Sequence, residues 1–384
     1  MRTVPIGELV GTVSSWNPST KPGVAFTYVD LSAVDNGSKA IIRPVVVTGA
    51  DAPSRARQLV GAGDVLVSTV RPNLNAVAVV PEALDGATAS TGFTVLRPGR
   101  HLDSRFLFHW VRCPAFIDDM VRKATGASYP AISDRIVKES PVPLPPLPEQ
   151  RRIAAILDHA DALRAKRRQV LAHLDALTQS IFDDMFGNPM ANDRSLPLAK
   201  IGEIAPVVTG NSPSRLESSN FGDNIEWIKS DNLGGPIASK AEEWLSEYGR
   251  ARARTAPPGS ILVTCIAGSP TSIGKASMVA REVAFNQQIN AVLPSPLVDS
   301  SFLLGQLKTA PELVRSKSTG GMKGLVSKSS FQSIEVLAPP LAAQREFSAR
   351  LAAVAKRQVG AQSAMAFDDE LFASLQARAF SGRL

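Results

Sequence analysis

Residues 149–186 read EQRRIAAILDHADALRAKRRQVLAHLDALTQSIFDDMF and contain neither glycine nor proline. Pro148 stands immediately before this run and Gly187 immediately after it. Proline suits the first turn of a helix and glycine the position just past its end, so the pair brackets one long helix. Within it a series at three- and four-residue spacing runs Ile153, Leu157, Ala160, Arg164, Arg167, Leu171, Leu174, Thr178, Ile181, Met185. That spacing is the seam of a coiled coil.

The approach to this helix occurs twice. Pro145-Pro146-Leu147 with Gln150-Arg151 recurs as Pro339-Pro340-Leu341 with Gln344-Arg345, an offset of 194 (344 − 150). The register then holds without a gap: Leu157 matches Leu351, Asp175 matches Asp369, Leu177 matches Leu371 and Phe186 matches Phe380. The second seam is Phe347, Leu351, Val354, Gln358, Ala361, Met365, Asp368, Phe372, Leu375, Ala379. Both seams are polar in the middle, at Arg164 and Gln358, which predicts a register-setting or solvated stretch. Gly360 costs the second helix about 1 kcal/mol relative to alanine and predicts a bend or local fraying there.

Further out, Ile6-Gly7-Glu8-Leu9 recurs as Ile201-Gly202-Glu203-Ile204, an offset of 195 (202 − 7). Gly63-Asp64-Val65-Leu66-Val67 recurs as Gly259-Ser260-Ile261-Leu262-Val263, an offset of 196 (259 − 63). The drift is what small loop insertions produce, so the chain is a tandem duplication. The first part of each copy holds short β-branched runs broken by Gly, Pro, Asn and Ser: 65–70, 76–80 and 261–266 read as strands. Helical pieces fall at 104–121 and 300–314. The expected segments are a domain at 1–148, a long helix at 149–187, a linker at 188–196, a second domain at 197–340 and a second long helix at 341–384.

A long amphipathic helix needs a partner for its stripe, and the nearest is its own duplicate. The expected fold class is α/β (α+β): two duplicated mixed α/β domains separated by two long antiparallel coiled-coil helices, with pseudo-twofold symmetry. About 35 residues give a rod of roughly 50 Å. Two helices packed separately, each on its own head, is the alternative.

The 384 residues carry a net charge of +7, with a pI near 9.5. That balance favours an acidic partner, nucleic acid above all. Two cysteines, Cys113 and Cys265, supply no disulfide framework or zinc site, which suits a reducing cytoplasm. The start shows no apolar signal segment, and no window approaches about 18 unbroken apolar residues, so no membrane partner is expected. Two similar but non-identical heads on a spacer suit two unlike DNA half-sites about one helical turn apart. A helical scaffold that assembles proteins without touching DNA fits the same pattern and stays open.

Several stretches carry a family resemblance. Pro143-Leu144-Pro145-Pro146-Leu147-Pro148-Glu149-Gln150-Arg151-Arg152-Ile153, leading into the long helix, resembles the central conserved region of type I restriction-modification specificity subunits. Gly63-Asp64-Val65-Leu66-Val67-Ser68 with Arg71-Pro72, and Tyr28-Val29-Asp30-Leu31-Ser32, are similar to motifs of that family's target recognition domains. So are Ile273-Gly274-Lys275 and Asn286-Gln287-Gln288-Ile289 in the second copy, and the tail 379–384 resembles the family's C-terminal end. One departure is Ala342-Ala343-Gln344 where the first copy has Pro148-Glu149-Gln150, so the second junction lacks the carboxylate.

The resemblance implies a non-catalytic subunit that reads a bipartite, asymmetric target in double-stranded DNA. It implies two methyltransferase subunits docked on the conserved helices and two endonuclease/translocase subunits beside them. No cofactor is expected in this chain: S-adenosylmethionine, ATP and magnesium belong to the partner subunits. Glu149, Gln150, Arg151, Gln344 and Arg345 are the candidate contacts to the methyltransferase.

DNA readers use Lys and Arg on phosphates, and Arg, Asn, Gln and Ser on base edges. In the first copy the candidates are Arg71, Asn73 and Asn75 in a loop leaving a strand, with Lys123, Ser128 and Tyr129 in a small-residue loop. In the second they are Lys229 and Asn232, Lys275 at the end of the 268–275 loop, and Lys323. Searches for chemistry return decoys only. Asn188-Pro189-Met190 lacks the methyltransferase pattern, Gly320-Gly321-Met322-Lys323-Gly324 has the wrong spacing for a phosphate loop, and Asp223, Glu226 and Lys229 miss nuclease spacing by one. His101, His109, His159 and His173 form no metal-ligand set with the cysteines or one another, and no metal is expected.

Overall fold

The computed structural model describes residues 2–126, 128–319 and 324–384. The chain divides into two compact units, Met1–Gln169 with Gln362–Leu384 and Val170–Ala361. Each unit holds one mixed head and a piece of each long helix, Leu147–Phe186 and Leu341–Phe380.

The heads repeat one topology. In unit 1 a four-stranded sheet runs in the order Val45–Thr48, Ala25–Val29, Thr88–Ser90, Ala56–Leu59, with a parallel central pair and antiparallel flanks. A second sheet, antiparallel throughout, has the order Val10–Gly11, Phe93–Pro98, Val65–Ser68, Val77–Val79. Unit 2 has Trp244–Leu245, Phe221–Ile228, Val283–Phe285, Thr255–Ala256 with the same mixed pattern. Its antiparallel sheet is Val207–Thr209, Ile289–Val292, Ile261–Thr264, Ala276–Met278. Val65–Ser68 and Ile261–Thr264 are buried at every position. Burial on both faces removes the polar alternation, which is why these strands read as unbroken apolar runs.

Each head is closed where it meets its helix. Thr3–Pro5 pairs with Pro141–Pro143, and Leu198–Lys200 pairs with Glu335–Leu337. The late helical pieces are each split, as Ser104–Trp110 and Pro114–Lys123 in unit 1 and Ser300–Thr309 and Glu312–Arg315 in unit 2. Pro114 and Pro311 fall at the breaks, since proline cannot continue a helix but can open one.

Within unit 1 the long helices run antiparallel: Arg152 donates to the Leu384 carbonyl at 2.8 Å, while Arg164 meets Asp369 at 2.6 Å. Within unit 2 they do so again, with Gln358 on Asp175 at 2.8 Å and the Phe182 and Phe347 rings 5.4 Å apart. The alternative of helices packed only on their own heads therefore fails. The polar seam positions find polar partners across the pair. The second helix continues through exposed Gly360, because seam pairing on both sides offsets a cost of about 1 kcal/mol. Among the described residues no helix is long and apolar enough to cross a membrane.

Candidate nucleic-acid interface

In unit 1 the buried strand Val65–Ser68 ends in a loop that a second segment stitches in place. Arg71 N donates to Pro130 O at 2.7 Å and Ile132 N to Thr69 O at 2.9 Å, with bridges Val70–Ala131 and Thr125–Ala131. Two loops 50 residues and more apart in sequence thus become one surface. Arg71 has a left-handed backbone, φ 50°, a conformation that costs a non-glycine residue free energy and persists where the surroundings enforce it. Its guanidinium lies 4.8 Å from the centroid of the Tyr129 ring. Tyr129 is 70% exposed, so an aromatic face and a cation are presented together, a pairing suited to a nucleic-acid backbone and base edge. Asn73 and Ser128 are exposed beside them. Lys123 ends the helix Pro114–Lys123, in an exposed pair with Asp119 at 2.7 Å. Solvent screening leaves that pair little strength.

The Asn75 amide donates to Val111 O at 2.8 Å, which ties the side chain to the head.

Unit 2 repeats the stitching. Ile266–Ala267 pairs with Gly324–Leu325, Val326 N donates to Cys265 O at 2.8 Å, and Thr319 bridges Leu325. Lys275 is exposed at the end of this loop and has no side-chain hydrogen bond among the described residues. Lys323 lies outside the described residues. Lys229 and Asn232 have partners within the head. The Lys229 ammonium is paired with Glu243, which also accepts from Arg215 at 2.9 Å. The hydrogen bond from Lys229 holds the Glu243 carboxyl below its ordinary range. Asn232 accepts from Lys229 N at 2.9 Å and donates to Lys240 O at 3.1 Å. Both side chains are hydrogen-bonded within their own head.

The junction residues also separate into two groups. Gln150 is 1% exposed, accepts from Asp103 N at 2.9 Å and donates to the carbonyls of His101 and Pro145 at 2.9 Å each. Gln344, 2% exposed, accepts from Asp299 N at 2.9 Å and donates to Pro339 O at 2.7 Å. A buried amide must find its hydrogen bonds inside the fold, so these glutamines lock head to helix and are not partner contacts. Arg151 and Arg345 are exposed and line corresponding clefts of 380 and 320 Å³. Glu149 is half-buried and paired with Arg152 at 2.7 Å, which lowers its carboxyl pKa. Among the described residues no three His, Cys, Asp or Glu side chains gather as a metal site.

Duplicated heads that each end a buried strand in a stitched loop, on long paired helices, define a recognition protein. A sequence profile for the type I restriction modification DNA specificity domain matches residues 56–173 and 198–360. The chain belongs to that family of specificity subunits. It is 20% identical over 368 residues to the type I restriction enzyme HindI specificity subunit of Haemophilus influenzae, spanning 75% of this chain and 79% of that protein. The EcoDI specificity subunit of Escherichia coli is 30% identical over 128 residues, 32% of this chain and 28% of that one. A solved chain from work on complex assembly and conformational transition of the type I R-M system superposes with a TM-score of 0.67 at 28% identity, covering 100% of this chain and 98% of its own. The type I S subunit of M. genitalium shares the fold, with a TM-score of 0.58 at 13% identity over 99% of this chain and 96% of its own. The chain is a non-catalytic DNA-specificity subunit that works in assembly with other subunits.

Proposed function

We propose that unit 1 reads one DNA half-site through Arg71, Asn73, Ser128 and Tyr129, with Lys123 on phosphate. Unit 2 reads a different half-site through the loops ending in Lys275 and Lys323. The observation that supports this reading is the repeated stitching of two loops at the end of the same buried strand, filled with different side chains in the two copies. A shared frame with unlike side chains suits an asymmetric target. Two methyltransferase subunits dock at the helix starts, where Arg151 and Arg345 are exposed and Glu149 adds a carboxylate in one copy only, and two endonuclease subunits complete a cytoplasmic complex. The target recognition domains are 1–148 and 197–340, joined by the central long helix 149–187 and the linker 188–196, with the second long helix at 341–384.

Selection of the assembled complex on a duplex library tests the reading, with and without Arg71→Ala. Loss of a base-edge or phosphate-positioning arginine should weaken one half-site by about 1–3 kcal/mol and leave the other intact. Affinity should fall steeply with salt, because phosphate binding releases counterions. Salt-insensitive binding, or an unaltered profile in Arg71→Ala, would count against these loops.

A further inference from the structure

The two recognition loops are held by one device that the chain supplies from unrelated places. In unit 1 the loop ends at Asn75, left-handed at φ 46°, two residues before the strand Val77–Val79. The Asn75 carbonyl accepts from Lys39 Nζ at 2.6 Å. Lys39 is itself left-handed, φ 54°, in the turn joining Val34–Asp35 to Ala40–Ile41. In unit 2 the left-handed position is Gly274, φ 82°, just before the loop's last residue Lys275 and two residues before Ala276–Met278. There Arg315 Nε donates to Ile273 O at 3.0 Å and Nη2 to Thr271 O at 3.2 Å.

Lys39 precedes its loop in sequence and Arg315 follows its own, so the duplication did not copy either. Each copy nonetheless places a cation on carbonyls of the loop's last turn. A loop carbonyl with no ladder partner needs a donor, and a charged donor forms the stronger bond. Burial, with the nearby Arg112 charge, pushes the Lys39 ammonium down to about 8, as for a cation drawn out of water onto its acceptor. Fixing the loop before DNA arrives removes an ordering cost from binding, which sharpens discrimination.

We infer that Lys39 and Arg315 are positioning residues for DNA discrimination, each acting on its own unit's half-site without touching the duplex. The inference rests on the proposed recognition role of these loops. The test is selection on a duplex library randomised in both half-sites, using the chain assembled with its partner subunits. Lys39→Met should lower discrimination about tenfold, as loss of one charge-assisted bond does, in the half-site that Arg71→Ala degrades. Arg315→Met should do the same in the other. Lys39→Arg should keep the wild-type profile, and Arg315→Lys, a single point donor in place of a fork, should recover part of it. Affinity for non-specific duplex should not move. The glutamine variants, which keep a polar chain and drop the charge, serve where methionine prevents assembly. An unchanged profile, a loss shared by both half-sites, or no recovery in the conservative variants overturns the inference. A wild-type complex without any bipartite preference would instead remove the recognition reading itself, and this inference with it.

Discussion

The two units solve the same packing problem, a head against paired helices, with different chemistry. In unit 1 an apolar contact, with Phe380 against Phe106 and Trp110 at 5.4 and 5.1 Å, is joined by a charged network. His109, 0% exposed, meets Asp158 at 2.7 Å, Arg105 also pairs with Asp158, and Arg112 reaches Asp161 at 2.8 Å. Asp161 accepts from Arg164 at 3.0 Å, and Arg164 continues to Asp369 of the second helix. In unit 2 the junction is aromatic. Phe182, Phe186, Phe302 and Phe347 are buried with ring centroids 4.9–6.1 Å apart. Gly305 stands in the place of His109, at the 196 offset of the copies (305 − 109). A Cβ on Gly305 would lie 2.7 Å from the Phe347 ring, so the missing side chain is what admits the aromatic cluster. One topology thus accepts a junction with or without the charged network.

The comparison is broken most forcefully in unit 2. Phe347→Ala should cost about 3–5 kcal/mol, the usual range for an emptied aromatic site, read from the urea midpoint. A cost under about 1 kcal/mol would mean that the cluster does not hold that junction. In unit 1, Asp161→Ala leaves Arg112, whose side chain is 8% exposed, without its carboxylate. Breaking a buried pair from one side costs about 3 kcal/mol, and a surface-like value would make the charged network ornamental.

Acid should separate the junctions further. Burial holds the His109 imidazole below its ordinary 6.5, against the opposing hydrogen bond to Asp158. Although burial opposes it, bonding from His109 and Arg105 holds Asp158 at about 2, below the ordinary 3.8. In both cases the unfolded chain takes up the proton first as pH falls. Stability contributed by His109 is therefore full above 6.5 and declines below it, and that of Asp158 declines between 3.8 and about 2. One proton changes stability by at most about 1.4 kcal/mol per pH unit. His109→Gln should flatten the slope of urea midpoint against pH just below 6.5, and an unchanged slope would assign the acid sensitivity elsewhere. The smallest effect is expected at Gly360, where an added Cβ meets no atom within 4 Å. Gly360→Ala should raise stability by about 0.5–1 kcal/mol. A loss there would reveal a backbone need that the helix geometry does not show.

Legibility in the sequence follows the range of the interaction. The strands at Val65–Ser68 and Ile261–Thr264 and both long helices were readable because periodicity and terminal proline or glycine act over a few residues. Arg71 with Tyr129 and Lys275 were reachable from the loops' composition. The roles of Gln150 and Gln344 were not, because an exposed and a buried glutamine look alike until their partners are placed. The partners of Lys229 and Asn75 were hidden for the same reason, since Glu243 and Val111 lie 14 and 36 residues away. Lys39 and Arg315 left no sequence signal, as their acceptors are backbone carbonyls that any residue provides.

What the amino-acid order determined alone is the tandem copy, the seam register and the family, all carried by spacing along the chain. Only the tertiary structure decided which polar side chains are spent inside the fold and which remain for DNA or a partner. A hydrogen bond depends on where two groups meet in space, and residues far apart in sequence meet only after the core has closed.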